Sequence, residues 1–172
     1  MHRHIFQKSI AAIAAGAIAA TSFAVLPSFS ASAASTILSS DFSNGTSGWS
    51  TYKASGGSCS MGVENGKLAL TVNSVGTLNY SVQVGYDVVP LYQNGVYRLT
   101  YDISSTEDCT VEQMIQQNGG TYQAYTWKGL DLTAETQTVD YTFTMKKETD
   151  IMSKLVFNCG YEGKDVAPHA IY

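Results

Sequence analysis

The chain has 172 residues and a formal net charge of −4 at pH 7, and only 14% of its residues are charged. Residues 34–172 carry eight Lys and Arg against 14 Asp and Glu, a formal charge of −6, and their longest basic run is Lys146-Lys147. Because such a surface repels polyphosphate, the composition argues against nucleic acid as a partner but leaves a neutral ligand open.

Residues 1–33 have the three-part layout of a secretory signal peptide. Arg3 and Lys8 give a positive start, residues 9–26 are apolar and rich in Ala, and residues 31–33 (Ala-Ser-Ala) offer a small-x-small cleavage site. An uncleaved membrane anchor is the alternative, because the apolar run approaches the length that spans a bilayer. The cleavage site favours a secreted protein without membrane contact, and the remaining 139 residues are the size of one domain.

The rest of the chain shows strand patterns, and no stretch keeps a helical period. Alternation of apolar and polar residues is clearest over 96–103 and 138–145, and Asn-Gly pairs, which tolerate positive φ, mark several turns. At least seven strands are predicted, over residues 36–42, 67–72, 77–84, 96–103, 110–117, 138–145 and 153–159. Short strands joined by polar turns predict an all-β fold, a β-sandwich of two antiparallel sheets.

Three cysteines, Cys59, Cys109 and Cys159, lie in the domain, an odd number that leaves at least one thiol free or paired between chains. Their spacings fit no zinc pattern, and His169 is the only histidine after residue 33. A Cys-His nucleophile pair has no support in the surrounding sequence. Cys159 alternates with the apolar residues of the last predicted strand, so it is predicted to be a small core residue.

Eleven tyrosines and two tryptophans are present, and most of the tyrosines fall on strand patterns. Because successive side chains of a strand point to opposite faces, a strand cannot bury all of them in one core. A pyranose ring has a face of C–H groups that packs on an aromatic ring, and a rim of hydroxyls that needs donors and acceptors. A sheet face with tyrosines among Gln and Asn side chains therefore predicts a sugar-binding groove and not a charged pocket.

Seven short motifs follow one another along the domain: Asp41-Phe42-Ser43-Asn44-Gly45, Gly48-Trp49, Gly66-Lys67-Leu68, Gly95-Val96-Tyr97-Arg98-Leu99-Thr100-Tyr101, Gln116-Gln117-Asn118-Gly119, Tyr141-Thr142-Phe143-Thr144 and Leu155-Val156-Phe157. Their order and spacing resemble those of carbohydrate-binding modules of the family 4, 9 and 22 type, which accompany cellulases and xylanases. The resemblance covers about Ser39 to Tyr172. It implies a jelly-roll sandwich with an open groove across its concave sheet, and non-catalytic binding of single β-glycan chains.

The resemblance places three tyrosines in that groove. Tyr52 and Tyr122 match aromatic residues that stack on sugar rings, and Tyr80 matches a further groove-facing tyrosine. An ordinary strand position remains open for Tyr52, and a core-facing one for Tyr80. One of Tyr125 and Trp127 is a candidate to extend the aromatic platform, and the sequence does not say which.

The resemblance also implies polar and apolar groove residues. Gln117 and Asn118 match an amide pair that hydrogen-bonds ligand hydroxyls, although Asn118 also suits a turn with the glycine that follows it. Lys154 and Asn158 stand where family 4 members often carry glutamines, and Glu112 stands where they often carry arginine. These departures leave the preferred sugar open. The apolar floor between the tyrosines is predicted to be Met114 and Val156.

A structural Ca²⁺ is implied by the resemblance as well. Its expected ligands are an oxygen of Asp41, a carbonyl at Gly66 and an Asp from a final strand, and calcium takes six to eight oxygens in all. In the family, a final strand with an Asp-x-Val motif follows the position at which this sequence has Tyr172. We therefore expect the module, residues 34–172, to be incomplete at its C terminus, with the closing strand and one calcium ligand beyond the chain end. The alternative is a sandwich with an open edge.

Two other functions stay open at this point. A jelly-roll glycoside hydrolase needs two carboxylates about 5–10 Å apart and often carries Glu-x-Asp-x-x-Glu, but the nearest stretch, residues 107–112, lacks that spacing. A cell-surface adhesion sandwich that binds protein predicts an apolar patch instead of an amide-rich groove. We expect a non-catalytic module, joined covalently to a glycoside hydrolase, that binds amorphous cellulose or mixed-linkage β-glucan first and xylan second.

Overall fold

The structure is a computed structural model that describes residues 11–16 and 34–172. Most of the predicted signal peptide, residues 1–33, lies outside the described residues, and its cleavage stays a prediction. The described residues form twelve strands and one 3₁₀ turn: β1 Ala11–Gly16, β2 Ser35–Ser40, β3 Trp49–Lys53, β4 Gly57–Glu64, β5 Lys67–Val75, the 3₁₀ turn Asn79–Ser81, β6 Val82–Tyr86, β7 Val96–Ile103, β8 Cys109–Gln116, β9 Ala124–Leu132, β10 Gln137–Thr144, β11 Lys154–Asn158 and β12 His169–Ile171. Among the described residues, no helix is long and apolar enough to cross a membrane.

The strands form antiparallel sheets of five, four and three strands. The five-stranded sheet has the order β3-β6-β11-β8-β9, the four-stranded sheet β10-β7-β1-β2, and the three-stranded sheet β12-β5-β4. In the four-stranded sheet, β1, which belongs to the predicted signal peptide, pairs with both β2 and β7. Backbone hydrogen bonds of 3.1 and 2.9 Å between Ser104 and Tyr172 attach the end of β12 to the end of β7, so the two smaller sheets join into one layer. The predicted all-β sandwich of antiparallel sheets is confirmed.

The core lies between the two layers and follows the predicted alternation. Along β7 every second residue from Tyr97 to Ile103 is buried, whereas Arg98 between them is exposed. Tyr101 of β7 meets Phe157 of β11 edge to face with ring centroids 5.2 Å apart, a contact that packs one layer against the other. All three cysteines are buried and carry free thiols, so Cys159 is a core residue as its sequence pattern predicts.

The segment predicted to be a strand over residues 77–84 begins instead with the 3₁₀ turn. Ser81 Oγ accepts a hydrogen bond from the Leu78 N–H at 3.0 Å, and the Ser81 N–H donates to the Leu78 carbonyl at 2.9 Å. Asn79 Oδ1 accepts from the Tyr80 N–H at 2.9 Å. Short polar side chains that bind nearby backbone groups in this way compete with strand pairing. The strand therefore starts only at β6, and the turn before it lies beside the five-stranded sheet.

Gly160 packs this turn against the end of β11. A Cβ at Gly160 would clash with the carbonyl oxygen of Leu78 and would lie 2.6 Å from the carbonyl oxygen of Asn79. The Asn79 carbonyl also accepts a hydrogen bond from the Gly160 N–H at 2.9 Å. We expect Gly160→Ala to lower the free energy of unfolding by about 1–3 kcal/mol, the usual cost of overpacking, in thermal unfolding followed by circular dichroism. Gly62→Ala is the matched control, because nothing lies within 4 Å of a Cβ there. Equal losses in both variants would contradict this packing.

Candidate functional site

A groove of about 700 Å³ lies over the outer face of the five-stranded sheet. Its walls come from β3, β6, β8 and β11, from the 3₁₀ turn and from the loop that follows β8. The groove is lined by Tyr52, Asn79, Tyr80, Gln83, Glu112, Met114, Gln116, Tyr122, Lys154 and Asn158. Three tyrosines, four amides, one carboxylate, one ammonium group and one methionine therefore meet on a single face.

Strand register explains why these side chains share one face. β8 and β11 are antiparallel neighbours, and Glu112 stands opposite Asn158 while Gln116 stands opposite Lys154. Along β8 the residues that line the groove alternate with Val111 and with Ile115, both of which are fully buried in the core. One strand thus supplies both the core and the groove.

The three predicted tyrosines all lie in the groove with exposed rings. Tyr52 is 53% exposed, Tyr80 45% and Tyr122 57%, so the core-facing alternative for Tyr80 does not match the structure. Tyr122 has a positive φ of 53°, and its N–H donates to the Gly119 carbonyl at 3.0 Å, so a tight turn presents its ring. The Nζ of Lys154 lies 5.4 Å from the centre of that ring. Exposed rings held in this way are available to stack on a ligand.

A hydrogen-bond network centred on Glu112 joins the polar side chains. Glu112 Oε2 accepts from Asn79 Nδ2 at 2.7 Å and from Asn158 Nδ2 at 3.2 Å. Its Oε1 accepts from Trp127 Nε1 at 3.1 Å. Asn158 Oδ1 accepts in turn from Gln83 Nε2 at 2.7 Å. Asn79 and Gln83 are partly exposed, and each amide nitrogen carries a second N–H for a ligand, whereas Asn158 is 3% exposed and orients its neighbours.

Trp127 is the better placed of the two aromatic residues that the sequence left undecided. It lies on β9 opposite Met114, is 58% exposed, and its indole covers Gly129, where a Cβ would come within 3.2 Å of the ring. Tyr125 instead packs partly against the core and donates its hydroxyl to Asp150 Oδ2 at 2.7 Å; burial and then this bond raise the pKa of Tyr125 to about 12. Trp127 therefore extends the aromatic surface onto the fifth strand of the sheet.

Gln117 and Asn118 lie outside the groove, contrary to their predicted position. They line a neighbouring polar depression, where Gln117 Oε1 accepts from Thr121 Oγ1 at 3.3 Å and Asn118 Nδ2 donates to Asp87 Oδ1 at 3.3 Å. Alternation along β8 gives the groove position to Gln116. The amide that this strand brings to the groove is thus one residue earlier than expected.

Val156, predicted as part of the apolar floor, is on the groove side of β11 by alternation but is only 2% exposed. It lies on β11, the central strand of the sheet, where both neighbouring strands flank it. Gln83 and Asn79 line the groove without having been singled out from the sequence. The alternation of Gln83 with the buried residues Val82 and Val84 was a usable signal, whereas Asn79 reaches the groove only through the 3₁₀ turn.

The predicted calcium ligands form a small donor set. Asp41 Oδ1 accepts from the Ser43 N–H at 3.0 Å and from Ser43 Oγ at 2.7 Å, and Gly66 lies in the β4–β5 turn with a φ of 74°. Within residues 11–16 and 34–172, no three His, Cys, Asp or Glu side chains gather into a group that could hold a metal ion. Calcium also takes backbone carbonyl oxygens, and the calcium site stays a prediction.

A third concavity belongs to the core and not to the outer face of the sheet. It is an apolar cavity of about 70 Å³, and Trp49, Leu70, Val84, Tyr101 and Phe157 are among the residues that line it. No Asn or Gln side chain is among its lining residues, so it offers sugar hydroxyls none of the amides that the groove offers. The groove is therefore the candidate binding site.

Residues 34–166 match a family model described as a carbohydrate binding domain of the CBM 4/9 type. Cellulose 1,4-beta-cellobiosidase of Acetivibrio thermocellus is 33% identical over 135 residues, which are 72% of this chain and 15% of that enzyme. A solved CBM4 structure superposes with a TM-score of 0.66 at 22% identity and covers 77% of this chain and 86% of its own. The N-terminal cellulose-binding domain of Cellulomonas fimi beta-1,4-glucanase C superposes with a TM-score of 0.56 at 24% identity, over 72% of this chain and 82% of its own.

The chain belongs to the CBM 4/9 family of carbohydrate-binding domains, as its motifs predict. The two solved structures share its fold, which confirms the predicted β-sandwich. The matched region is a binding domain and not a catalytic one, so the hydrolase alternative is not favoured. The chain spans only 15% of the length of the cellobiosidase, whose catalytic activity is a property of that larger protein.

Proposed function

We propose that this domain binds single β-glycan chains in the groove without cleaving them. One observation carries the proposal: three exposed tyrosines and the exposed Trp127 surround four amide side chains on one face of the sheet. Aromatic rings pack on the C–H faces of pyranoses, and amides hydrogen-bond their hydroxyls. A protein-binding adhesion surface favours a contiguous apolar patch, whereas Glu112 and Lys154 interrupt the aromatic surface here.

Among β-glycans, amorphous cellulose and mixed-linkage β-glucan are the preferred ligands, and xylan is the second choice. The similar proteins support this order, since one is named as a cellobiosidase and another as the cellulose-binding domain of a glucanase. A groove is concave, and its walls suit one polysaccharide chain better than an extended flat surface. Each stacked ring contributes about 0.5–1.5 kcal/mol beyond area burial, which favours micromolar to millimolar affinity for a long oligosaccharide.

The protein is further proposed to be secreted and covalently joined to a glycoside hydrolase. Two features support this context: the signal-peptide layout of residues 1–33, and the match of the domain to 15% of a much larger enzyme. A tethered binding domain raises the local concentration of the attached enzyme at its polymer without any new contact in the catalytic site.

Affinity electrophoresis tests the proposed function. The purified protein is expected to migrate more slowly in a native gel that contains hydroxyethylcellulose than in a plain gel, because binding to the polymer retards it. Incubation with β-glucan is expected to release no reducing ends. Unretarded migration with both hydroxyethylcellulose and soluble xylan would contradict glycan binding, and new reducing ends would contradict a non-catalytic role.

A further inference from the structure

Glu112 brings a carboxylate to the groove and is held there in one position. Three neutral N–H donors, from Asn79, Asn158 and Trp127, hydrogen-bond its two oxygens. A carboxylate has about four acceptor positions, so one position on Oε1 remains for a ligand. That position can accept a hydrogen bond from a sugar O–H or N–H, but it cannot donate one.

The negative charge of Glu112 has no paired cation among the described residues. The ion pair that these residues do contain, Arg98 with Asp140, joins β7 to β10 in the opposite layer. Lys154 is the cation of the groove, but it lies four residues along the β8–β11 ladder from Glu112, about 13 Å of strand. Its Nζ lies near the Tyr122 ring instead.

Glu162 is a second carboxyl group that interacts electrostatically with Glu112, although it does not line the groove. Its own burial and, after that, the charge of Glu112 raise the pKa of Glu162, so the field of Glu112 reaches it. The buried Oε1 of Glu162 has no hydrogen-bond partner. Residues 34–172 also carry a formal charge of −6 in total. The groove is therefore acidic around Glu112 and cationic only at the end where Lys154 lies.

We propose that Glu112 is the specificity-determining residue of the groove and selects against sugars that carry a carboxylate beside it. This inference rests on the proposed function and adds the charge class of the ligand. A glucose O–H or a protonated glucosamine N–H donates to the remaining Oε1 position, whereas a glucuronate brings an acceptor and a like charge. Like charges a few ångströms apart at a protein surface lower affinity by about tenfold or more.

Three hexasaccharides with the same β-1,4 backbone, built from glucose, glucuronate or glucosamine, test the inference by calorimetric titration at low salt. At a pH at which glucosamine is protonated, the glucosamine chain is expected to bind at least as tightly as the glucose chain, and the glucuronate chain about tenfold more weakly. Glu112→Gln removes the charge and is expected to lower the ratio of glucose to glucuronate affinity severalfold towards one. Glu107→Gln, which removes an exposed carboxylate outside the groove, is expected to keep the parent ratio.

The ratio of affinities, and not the affinity itself, reports the charge effect, because the Glu112→Gln substitution also disturbs the hydrogen-bond network and weakens the binding of neutral ligands. If the Glu112→Gln variant binds neither the glucose nor the glucuronate chain, the salt dependence of the parent protein is the test. The parent's ratio of glucose to glucuronate affinity is expected to fall towards one as NaCl is added, because salt screens the charges. Three results would overturn the inference. They are a glucose-to-glucuronate affinity ratio near one in the parent, a parent ratio that salt does not change, and a Glu112→Gln variant whose ratio equals that of the parent. Failure of the parent to bind the glucose chain would overturn the proposed function instead.

Discussion

Replacing both Tyr52 and Tyr122 by Ala is expected to lower the affinity for cellohexaose about hundredfold. Each single substitution is expected to lower it about tenfold. Both rings are more than half exposed and both line the groove, so removing them leaves the sheet and its core intact. Loss of stacking and of the apolar area that a sugar ring covers corresponds to about 1–2 kcal/mol per tyrosine, and 1.4 kcal/mol corresponds to about a tenfold change. Isothermal titration calorimetry measures the two single variants and the double variant.

Tyr92→Ala is the matched control for these two substitutions. Tyr92 is 57% exposed, as much as Tyr122, but it does not line the groove. It is expected to bind cellohexaose like the parent, and all the variants are expected to keep the melting temperature of the parent, because exposed side chains contribute little to stability. A Tyr92→Ala variant that loses as much affinity as the others, or a double variant that binds like the parent, would show that the groove is not the binding site.

Trp127→Ala is expected to weaken cellohexaose binding by about tenfold, through two losses. The indole is the largest exposed aromatic ring on this face, and its N–H is one of the three donors that hold Glu112. Stacking accounts for about 0.5–1.5 kcal/mol and the area under the ring for a similar amount. Calorimetry gives the affinity. The Trp127→Ala variant is also expected to lose the change in tryptophan fluorescence that ligand binding causes, because the other tryptophan, Trp49, is partly buried against the core.

Trp127→Phe separates the two losses. Phenylalanine keeps an aromatic ring over Gly129 but cannot donate to Glu112, so its affinity is expected to fall between those of the parent and of Trp127→Ala. Equal affinities of the parent and Trp127→Ala would mean that the ligand does not reach β9, and the site would then end at β8.

The strands that sequence patterns predicted are those with one face on the core. β7 and β10 alternate because their neighbours and the opposite layer cover one side of each. β4 was not predicted, since it is an edge strand, paired only with β5, and all but one of its eight residues are at least partly exposed. Because Cys59 is its one buried residue, β4 shows little alternation of apolar and polar residues, and its sequence, rich in Gly and Ser, resembles that of a loop.

The aromatic residues of the groove were easier to find than its polar residues, for a physical reason. The positions of Tyr52 and Tyr122 in the groove could be predicted from the family motifs around them. The contact between Glu112 and Trp127 depends on the register of β8 with β9, which shifts at a bulge near Gln116. The sequence of neither strand alone predicts that register. A one-residue change of register moves a side chain to the opposite face, which is why Gln117 was expected in a place that Gln116 occupies.

A nuclear magnetic resonance titration of the isotope-labelled protein with cellohexaose tests most directly whether the groove binds a glycan. The largest chemical-shift changes are expected at the indole N–H of Trp127, the amide side chains of Gln83 and Asn158, and the backbone around Tyr52 and Tyr122, all on one face of the five-stranded sheet. Signals from the exposed side of β7 and β10 in the opposite layer are expected to stay in place. Changes concentrated on that opposite layer, with none at the groove, would contradict the assignment.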